Sequence, residues 1–374
     1  MRAFFALLAV IAAVFVLETA RAGIEITTRS IGTTPVTTFA QPASDGPVVV
    51  VAHGFAGSQQ MMQGYAWPLA RAGYRVHVFE FLGHGRHPVP MSGDVTTVDG
   101  TTRLVVDQTN MVIDAVKEEG TPVALLGHSM ATDVLVRVAD ARDDIGPVVL
   151  ISAFSQVIDA DTPQDLLLIT GAWEGGLRAF GQEALQMTDP DAVEGETVSI
   201  GAVSRRARAA PFSEHVSVLH SRIGRAEALD WLDRSYGRNA DVTIWPTGWA
   251  ILALLAGLVL IFRPVAQRLP QQKVAHVALS RQKIGIALVI PAVIAPLLAV
   301  PLTPSFLPVL VADYLVVHLF LYGVMQLALM RFWGVPFAWP SPGAFGLLLL
   351  WAALFGLALD RYAANFWPTS ERVW

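Results

Sequence analysis

The stretch "VALLGHSMATDVL", residues 123–135, decides the fold. Its first half is a continuous apolar run of buried-strand type, its second half has helical spacing, and Ser129 stands at the turn between them. A backbone that reverses so sharply brings the residues two before and two after the serine close together, so both must be small. Gly127 and Ala131 meet that need. Ala131 adds one methyl at a position that already belongs to the helix, where alanine is favoured over glycine.

Outward from that turn the chain alternates. Upstream lie the short strands "IEITT" and "PVTTFA", the apolar run "PVVVVAH", a helix in "MMQGYAWPLARAG", the strand "YRVHVFEF" and a helix at about 102–118. Downstream come strands in "GPVVLISA" and "DLLLIT", a helix near 176–187, a last strand within "SRRARAAPF" and the amphipathic helix "RAEALDWLDRSYG". Strand and helix in alternation, with central strands apolar throughout, predict an α/β domain built on a mostly parallel, doubly wound sheet covered on both faces. Its expected extent is residues 23–241.

The rest of the chain has another character. Of the 374 residues 53% are hydrophobic and only 15% charged, and nearly all Asp and Glu precede residue 242. Beyond it, apolar segments at about 243–262, 284–302, 305–330 and 344–359 are each long enough to cross a bilayer core, which predicts an all-α membrane domain of four spans over 242–374. The loop "RPVAQRLPQQKVAHVALSRQK" carries Arg263, Arg268, Lys273, Arg281 and Lys283 with no acid and is expected on the cytoplasmic side. Residues 23–241 then lie outside, on the periplasmic side of a bacterial-type inner membrane. The N-terminal "MRAFFALLAVIAAVFVLETARAG" agrees, because it has the shape of an export signal. Two readings stay open for residues 1–22: a cleaved signal peptide ending at the small-x-small Ala20-Arg21-Ala22, or a retained membrane anchor.

A net charge of −5 without a basic stripe argues against nucleic acid as a partner. The absence of cysteine excludes disulfides, thiolate catalysis and cysteine-ligated metal. No metal or other cofactor is expected, since the histidines of "GHGRH" (residues 83–87) lack a carboxylate-rich partner.

Five stretches in order, "VVAHGFAGS", "FEFLGHGRH", "LLGHSMA", "LLLITGAWEG" and "SEHVSVLHS", resemble successive landmarks of the α/β-hydrolase family over about residues 24–240. The resemblance implies a serine nucleophile on a strained strand-to-helix elbow, G-x-S-x-G with Ala131 in place of the second glycine, followed in the chain by an acid and then a histidine. The nucleophile is then Ser129. His53, His77, His84, His87 and His128 precede it, His276 falls in the cytoplasmic loop and His318 in a span, which leaves His215, favoured because it follows a strand, and His220. The acid implied after "DLLLIT" is Glu174, with Asp159, Asp161 and Asp189 as alternatives.

Backbone N–H groups of Phe55 and Met130 are the implied oxyanion donors. The dozen residues between the strands "VVLISA" and "LLLIT" leave no room for a cap domain. A fairly open site rimmed by Phe55, Met61, Met62, Phe81 and Trp173 is expected, and such an apolar edge suits a small-molecule or lipid-like ester. Asp313 and His318, the ionisable residues of the third span, are expected to pack or anchor. The reading is thus a membrane-embedded serine hydrolase cleaving an ester or related acyl bond. The alternative is a multi-pass membrane protein that keeps a catalytically inactive hydrolase-like binding domain.

Overall fold

The computed structural model describes residues 2–91, 94, 97–270, 277–302, 306, 312–336 and 339–365. They form two compact units, Met1–Ile261 with Phe355–Trp374, and Phe262–Leu354. Lys273 and His276 of the basic loop lie outside the described residues.

The larger unit is built on one nine-stranded sheet, ordered β1-β2-β4-β3-β5-β6-β7-β9-β8. Its strands are β1 (Glu25–Ile31), β2 (Thr34–Ala40), β3 (Val48–Ala52), β4 (Arg75–Phe79), β5 (Val123–His128), β6 (Ile145–Ile151), β7 (Asp165–Gly171), β8 (Thr197–Ile200) and β9 (Val203–Ala210). From β4 to β9 all neighbours pair in parallel, while β1–β2, β2–β4 and β8–β9 are antiparallel. The valines of β3 and every residue of β5 are buried. That is why the central strands read as unbroken apolar runs: both sheet faces are covered.

One face packs on α2 (Gln63–Arg71) and α6 (Arg222–Ser235), with Trp67, Tyr65, Leu229 and Trp231 in a single core. The other packs on α3 (Arg103–Val116), α4 (Met130–Asp140) and α5 (Gly175–Gln186) through Val112, Leu135 and Leu185. The strand β8 is missing from the sequence reading. Its four residues are mostly exposed and form an edge hairpin with β9 around Gly201, so no buried apolar pattern marks them.

Among the described residues five helices are long and apolar enough to cross a membrane: α1 (Arg2–Arg21), α7 (Thr247–Ala266), α8 (Arg281–Ala299), α9 (Ala312–Phe332) and α10 (Pro342–Tyr362). The expected apolar segments overlap the last four, and residues 305 and 307–311 of the third lie outside the described residues. The first belongs to the core of the larger unit, with Leu17 fully buried and Ala13 and Ala20 nearly so. Gly257 of α7 allows the close approach, since a Cβ there would lie 2.5 Å from Val10 Cγ2 and 3.1 Å from the Ala6 carbonyl oxygen. At its end, Glu18 accepts from both Arg361 Nε and Nη2 at 2.8 Å and from the Tyr362 hydroxyl at 2.5 Å.

In the smaller unit α8 packs on α9, where Gln326 satisfies its amide on the Ala287 carbonyl at 3.1 Å and on the Tyr322 hydroxyl. Asp313 sits in the first turn of α9 and accepts the Phe306 N–H at 3.0 Å, a helix-start role.

Candidate active site

Parallel strands put their carboxyl ends on one edge of the sheet, and six connections there, after β3, β4, β5, β6, β7 and β9, build the site. At the end of β5, Ser129 has φ +53 and ψ −117, a conformation that costs a non-glycine residue about 1–3 kcal/mol. Neighbours hold it there. Its N–H donates to the Ile151 carbonyl at 2.9 Å, and its carbonyl accepts the Thr132 N–H and hydroxyl at 2.9 and 2.7 Å. The small-residue requirement has a visible cause. A Cβ on Gly127 would lie 2.5 Å from Leu135 Cδ1 and 3.2 Å from the Ala131 methyl.

The loop after β9 delivers His215, whose Nε2 accepts from the Ser129 hydroxyl at 2.8 Å and whose Nδ1–H donates to Glu174 Oε1 at 2.6 Å. Glu174 follows β7. Its other oxygen accepts the Gly171 N–H at 2.6 Å and the Ser152 hydroxyl at 2.7 Å. The carboxylate therefore turns back over β7, and the space beside Gly171 is required: a Cβ there would meet the Ser213 carbonyl oxygen at 2.5 Å and Glu174 Oε2 at 3.0 Å.

After β3, the turn His53–Gly57 closes with the Gly57 N–H on the Gly54 carbonyl at 3.0 Å. It lies directly on the elbow, for a Cβ on Gly54 would be 3.0 Å from Ser129 Cβ and 2.9 Å from His128 Nδ1. Phe55 occupies the outward tip, half-exposed. Met130 is the first residue of α4, so its N–H has no acceptor within the helix and points from the same end as the serine.

His53 has a structural part, donating through Nδ1 to the Gly54 carbonyl and accepting the Phe81 N–H on Nε2. His128 is unforeseen as a contributor. Its Nε2–H donates to the backbone carbonyl of His215 at 2.8 Å, and burial pushes its pKa down to about 4, so it stays neutral near pH 7 and keeps that donor. His220, the other histidine weighed, ends a short 3-10 turn ahead of α6 rather than lying in that helix, and packs against Gly248 of α7.

A cavity of about 470 Å³ opens beside Ser129 and His215. Its apolar wall comes from Val98, Val105, Met130, Val134, Phe154 and Leu177, and Arg137 and Asp133, paired at 2.7 Å, add one charged flank. The expected rim needs correction here. Met62 and Phe81 are fully buried in the core, and Met61 is half-buried behind the oxyanion turn, with its sulfur on the Gly57 side. Phe55 and Trp173 are exposed but do not line this cavity. The wall comes instead from the starts of α3, α4 and α5, from Phe154 after β6 and from Val98 in the connection between β4 and α3, whose length of more than twenty residues was the available signal for that last part.

Among the described residues no group of His, Asp and Glu is arranged to hold a metal ion. Residues 44–178 match the family model of serine aminopeptidase, S33, a segment running from before β3 through Ser129 and Glu174 into α5. No curated protein matches the sequence. Among solved structures, a CIB-like hydrolase from Thermoplasma acidophilum is similar at 13% identity over 56% of this chain and 98% of that one, TM-score 0.44. Dienelactone hydrolase from Anabaena variabilis is similar at 16% over 57% and 97%, TM-score 0.43. A shorter similarity, 25% identity over 35% of this chain and 38% of that one with TM-score 0.29, links it to an epoxide hydrolase from an endophytic Streptomyces, so the chain spans well under half of that relative's length. The matched segment carries the elbow inside a mostly parallel sheet, so the chain has the α/β-hydrolase fold and, over residues 44–178, is similar to that family.

Proposed function

We propose that this chain is a serine hydrolase that cleaves an ester or related acyl bond through Ser129, His215 and Glu174. The observation that carries the reading is the unbroken relay from the strained Ser129 hydroxyl to His215 at 2.8 Å and from His215 to Glu174 at 2.6 Å. His215 Nε2 takes the proton as Ser129 Oγ attacks the substrate carbonyl, and Glu174 holds the ring in the Nδ1–H tautomer and offsets the charge that forms. The oxyanion is met by the Phe55 and Met130 N–H groups. The imidazolium then protonates the leaving alcohol, and a water activated by the same nitrogen hydrolyses the acyl-enzyme, restoring the serine.

The apolar wall of the cavity favours a hydrophobic acyl group over a charged one. Four of the carboxyl-edge loops also present an exposed aromatic side chain, Phe55, Phe154, Trp173 and Phe212, which suits an ester that partitions into membranes. An amide bond, as the name of the matched family model suggests, is the competing substrate class.

The catalytic domain is proposed to stand on the periplasmic side of an inner membrane, held by α7–α10 and by a retained α1. The interlocked Glu18, Arg361 and Tyr362 and the fully buried Leu17 support retention over cleavage, since removing residues 1–22 would strip a core element.

The test is labelling of the full chain by a fluorophosphonate probe, followed by parallel turnover of aryl esters of increasing chain length and aminoacyl amides. Labelling that Ser129→Ala and His215→Ala abolish and His220→Ala retains is expected, with ester turnover rising with chain length. An unlabelled wild-type protein would instead make the domain an inactive binding module.

A further inference from the structure

A second cavity, of about 540 Å³, lies away from Ser129, where the ends of α1 and α10 meet β1, β2 and the turn Gln59–Met62. We propose that it binds the headgroup of an anionic glycerophospholipid. Three features carry this. The first is charge. Arg21, Arg86 and Arg361 border the cavity against two carboxylates, Glu18 on Arg361 at 2.8 Å and Asp360 on Arg86 at 3.2 Å, so one positive charge is left over. Among the described residues Arg21 is the guanidinium without a carboxylate, its Nη1 donating to the Arg361 carbonyl at 3.3 Å. A single uncompensated charge matches the single negative charge of a phosphodiester.

The second feature is unmet hydrogen bonding. Gln59 and Gln60 line the cavity, are 6% and 8% exposed, and each has an Oε1 with no partner among the described residues. Arg86 Nε is likewise buried and unpartnered. Side-chain groups of this kind are normally satisfied, so a ligand offering hydroxyl donors beside a phosphate would complete them. An ammonium headgroup would add a second cation to a site that already holds an excess one.

The third feature is depth. The charges of α1 and α10 near this cavity, Glu18, Arg21, Asp360 and Arg361, all fall in the last turns of two helices of membrane-spanning length, which is where a bilayer's phosphates lie. Leu357, one turn before them and 56% exposed, continues the cavity wall toward the apolar stretch along which acyl chains would run. The inference requires that α1 and α10 cross the bilayer, and it does not require Ser129 to be catalytic.

The test uses the full chain purified in detergent and titrated with phosphatidylglycerol, phosphatidylcholine or inorganic phosphate while thermal unfolding is followed. Phosphatidylglycerol should raise the midpoint saturably, phosphatidylcholine should not, and inorganic phosphate should act only weakly, because it lacks the glycerol hydroxyls and the chains. The double variant Arg86→Gln with Gln60→Leu should weaken the phosphatidylglycerol effect by about tenfold or more, and Ser129→Ala should leave it intact. Equal responses to the two lipids would overturn the site. Inorganic phosphate acting as well as phosphatidylglycerol would overturn the lipid as its source. The lipid comparison on the unaltered protein stands even if the double variant fails to fold.

Discussion

Ser152 donates its hydroxyl to Glu174 Oε2 at 2.7 Å from a backbone with φ +51, a positive φ that it shares with Ser129 at the same edge of the sheet. The bond shows what the length of the Glu174 side chain allows. The extra methylene lets the carboxylate fold back far enough to take Ser152 and the Gly171 N–H on one oxygen while leaving the other for His215. Removing the charge by Glu174→Gln should lower kcat by roughly a hundredfold or more. Ser152→Ala should cost about tenfold, the loss of one charge-assisted hydrogen bond. Glu174→Asp cannot reach both partners and should also lose activity. Full activity in Glu174→Asp would show that the longer side chain has no positioning role.

The neutral ring of His128 should act through the backbone of His215. Its Nε2–H on the His215 carbonyl fixes the loop that presents the base, so His128→Ala should lower kcat about tenfold with little change in KM, while His128→Gln, which keeps an N–H donor, should recover part of it. Steady-state kinetics on a chromogenic ester measures both. A change confined to KM would place His128 in substrate binding instead.

Acid should destabilise the catalytic domain in a definite window. His77 and His128 are held neutral, both pushed down to about 4 mainly by burial, with the cations of Arg29 and Arg75 adding to the effect on His77. The unfolded chain takes up these protons near pH 6.5, so between about 6.5 and 4 it binds more protons than the folded one. Stability therefore falls as pH falls through that range, by up to about 1.4 kcal/mol per pH unit for each histidine, and neither contributes a slope above it. Denaturant midpoints at pH 4.5, 5.5 and 7.5 should show the decline, and His77→Gln should flatten it. A flat profile in the wild type would contradict the burial argument.

How much of this was legible in the sequence depended on burial. The central strands were readable because both faces are covered, and the elbow because sterics demand small residues at 127 and 131. The order of landmarks nominated Ser129, Glu174 and His215, which the fold brings within hydrogen-bonding distance. Three things were not legible. The edge strand β8 has no apolar pattern. The part of the cavity wall at Val98 comes from a connection with no regular periodicity. Met62 and Phe81 read as rim residues because an apolar side chain beside a functional turn looks the same in sequence whether it faces inward or outward.

Retention of α1 is testable by mass. A chain expressed from these 374 residues should, after extraction from the membrane, keep the intact mass of 40.3 kDa, less at most the initiator methionine. A mature chain beginning near Gly23 would reverse the reading. Orientation is a separate matter: a reporter active only outside the cytoplasm should be active when fused after residue 241 and silent near residue 272. The opposite pattern would put the catalytic domain in the cytoplasm.

The elbow itself supplies the last test. Ala131 is fully buried and helical, so Ala131→Gly removes only a methyl and should keep Ser129 reactive, at a helix cost of up to about 1 kcal/mol. Ala131→Val adds bulk toward Gly127 in a packed site and should cost about 1–3 kcal/mol while turning the serine away from His215. Gly127→Ala is predicted to be worse, because its Cβ would meet both Leu135 Cδ1 at 2.5 Å and the Ala131 methyl at 3.2 Å. Combining Gly127→Ala with Ala131→Gly relieves the second contact and leaves the first, so the pair should recover only part of the labelling rate. Complete recovery would mean that the Ala131 methyl alone sets the limit, and no recovery would assign it to Leu135.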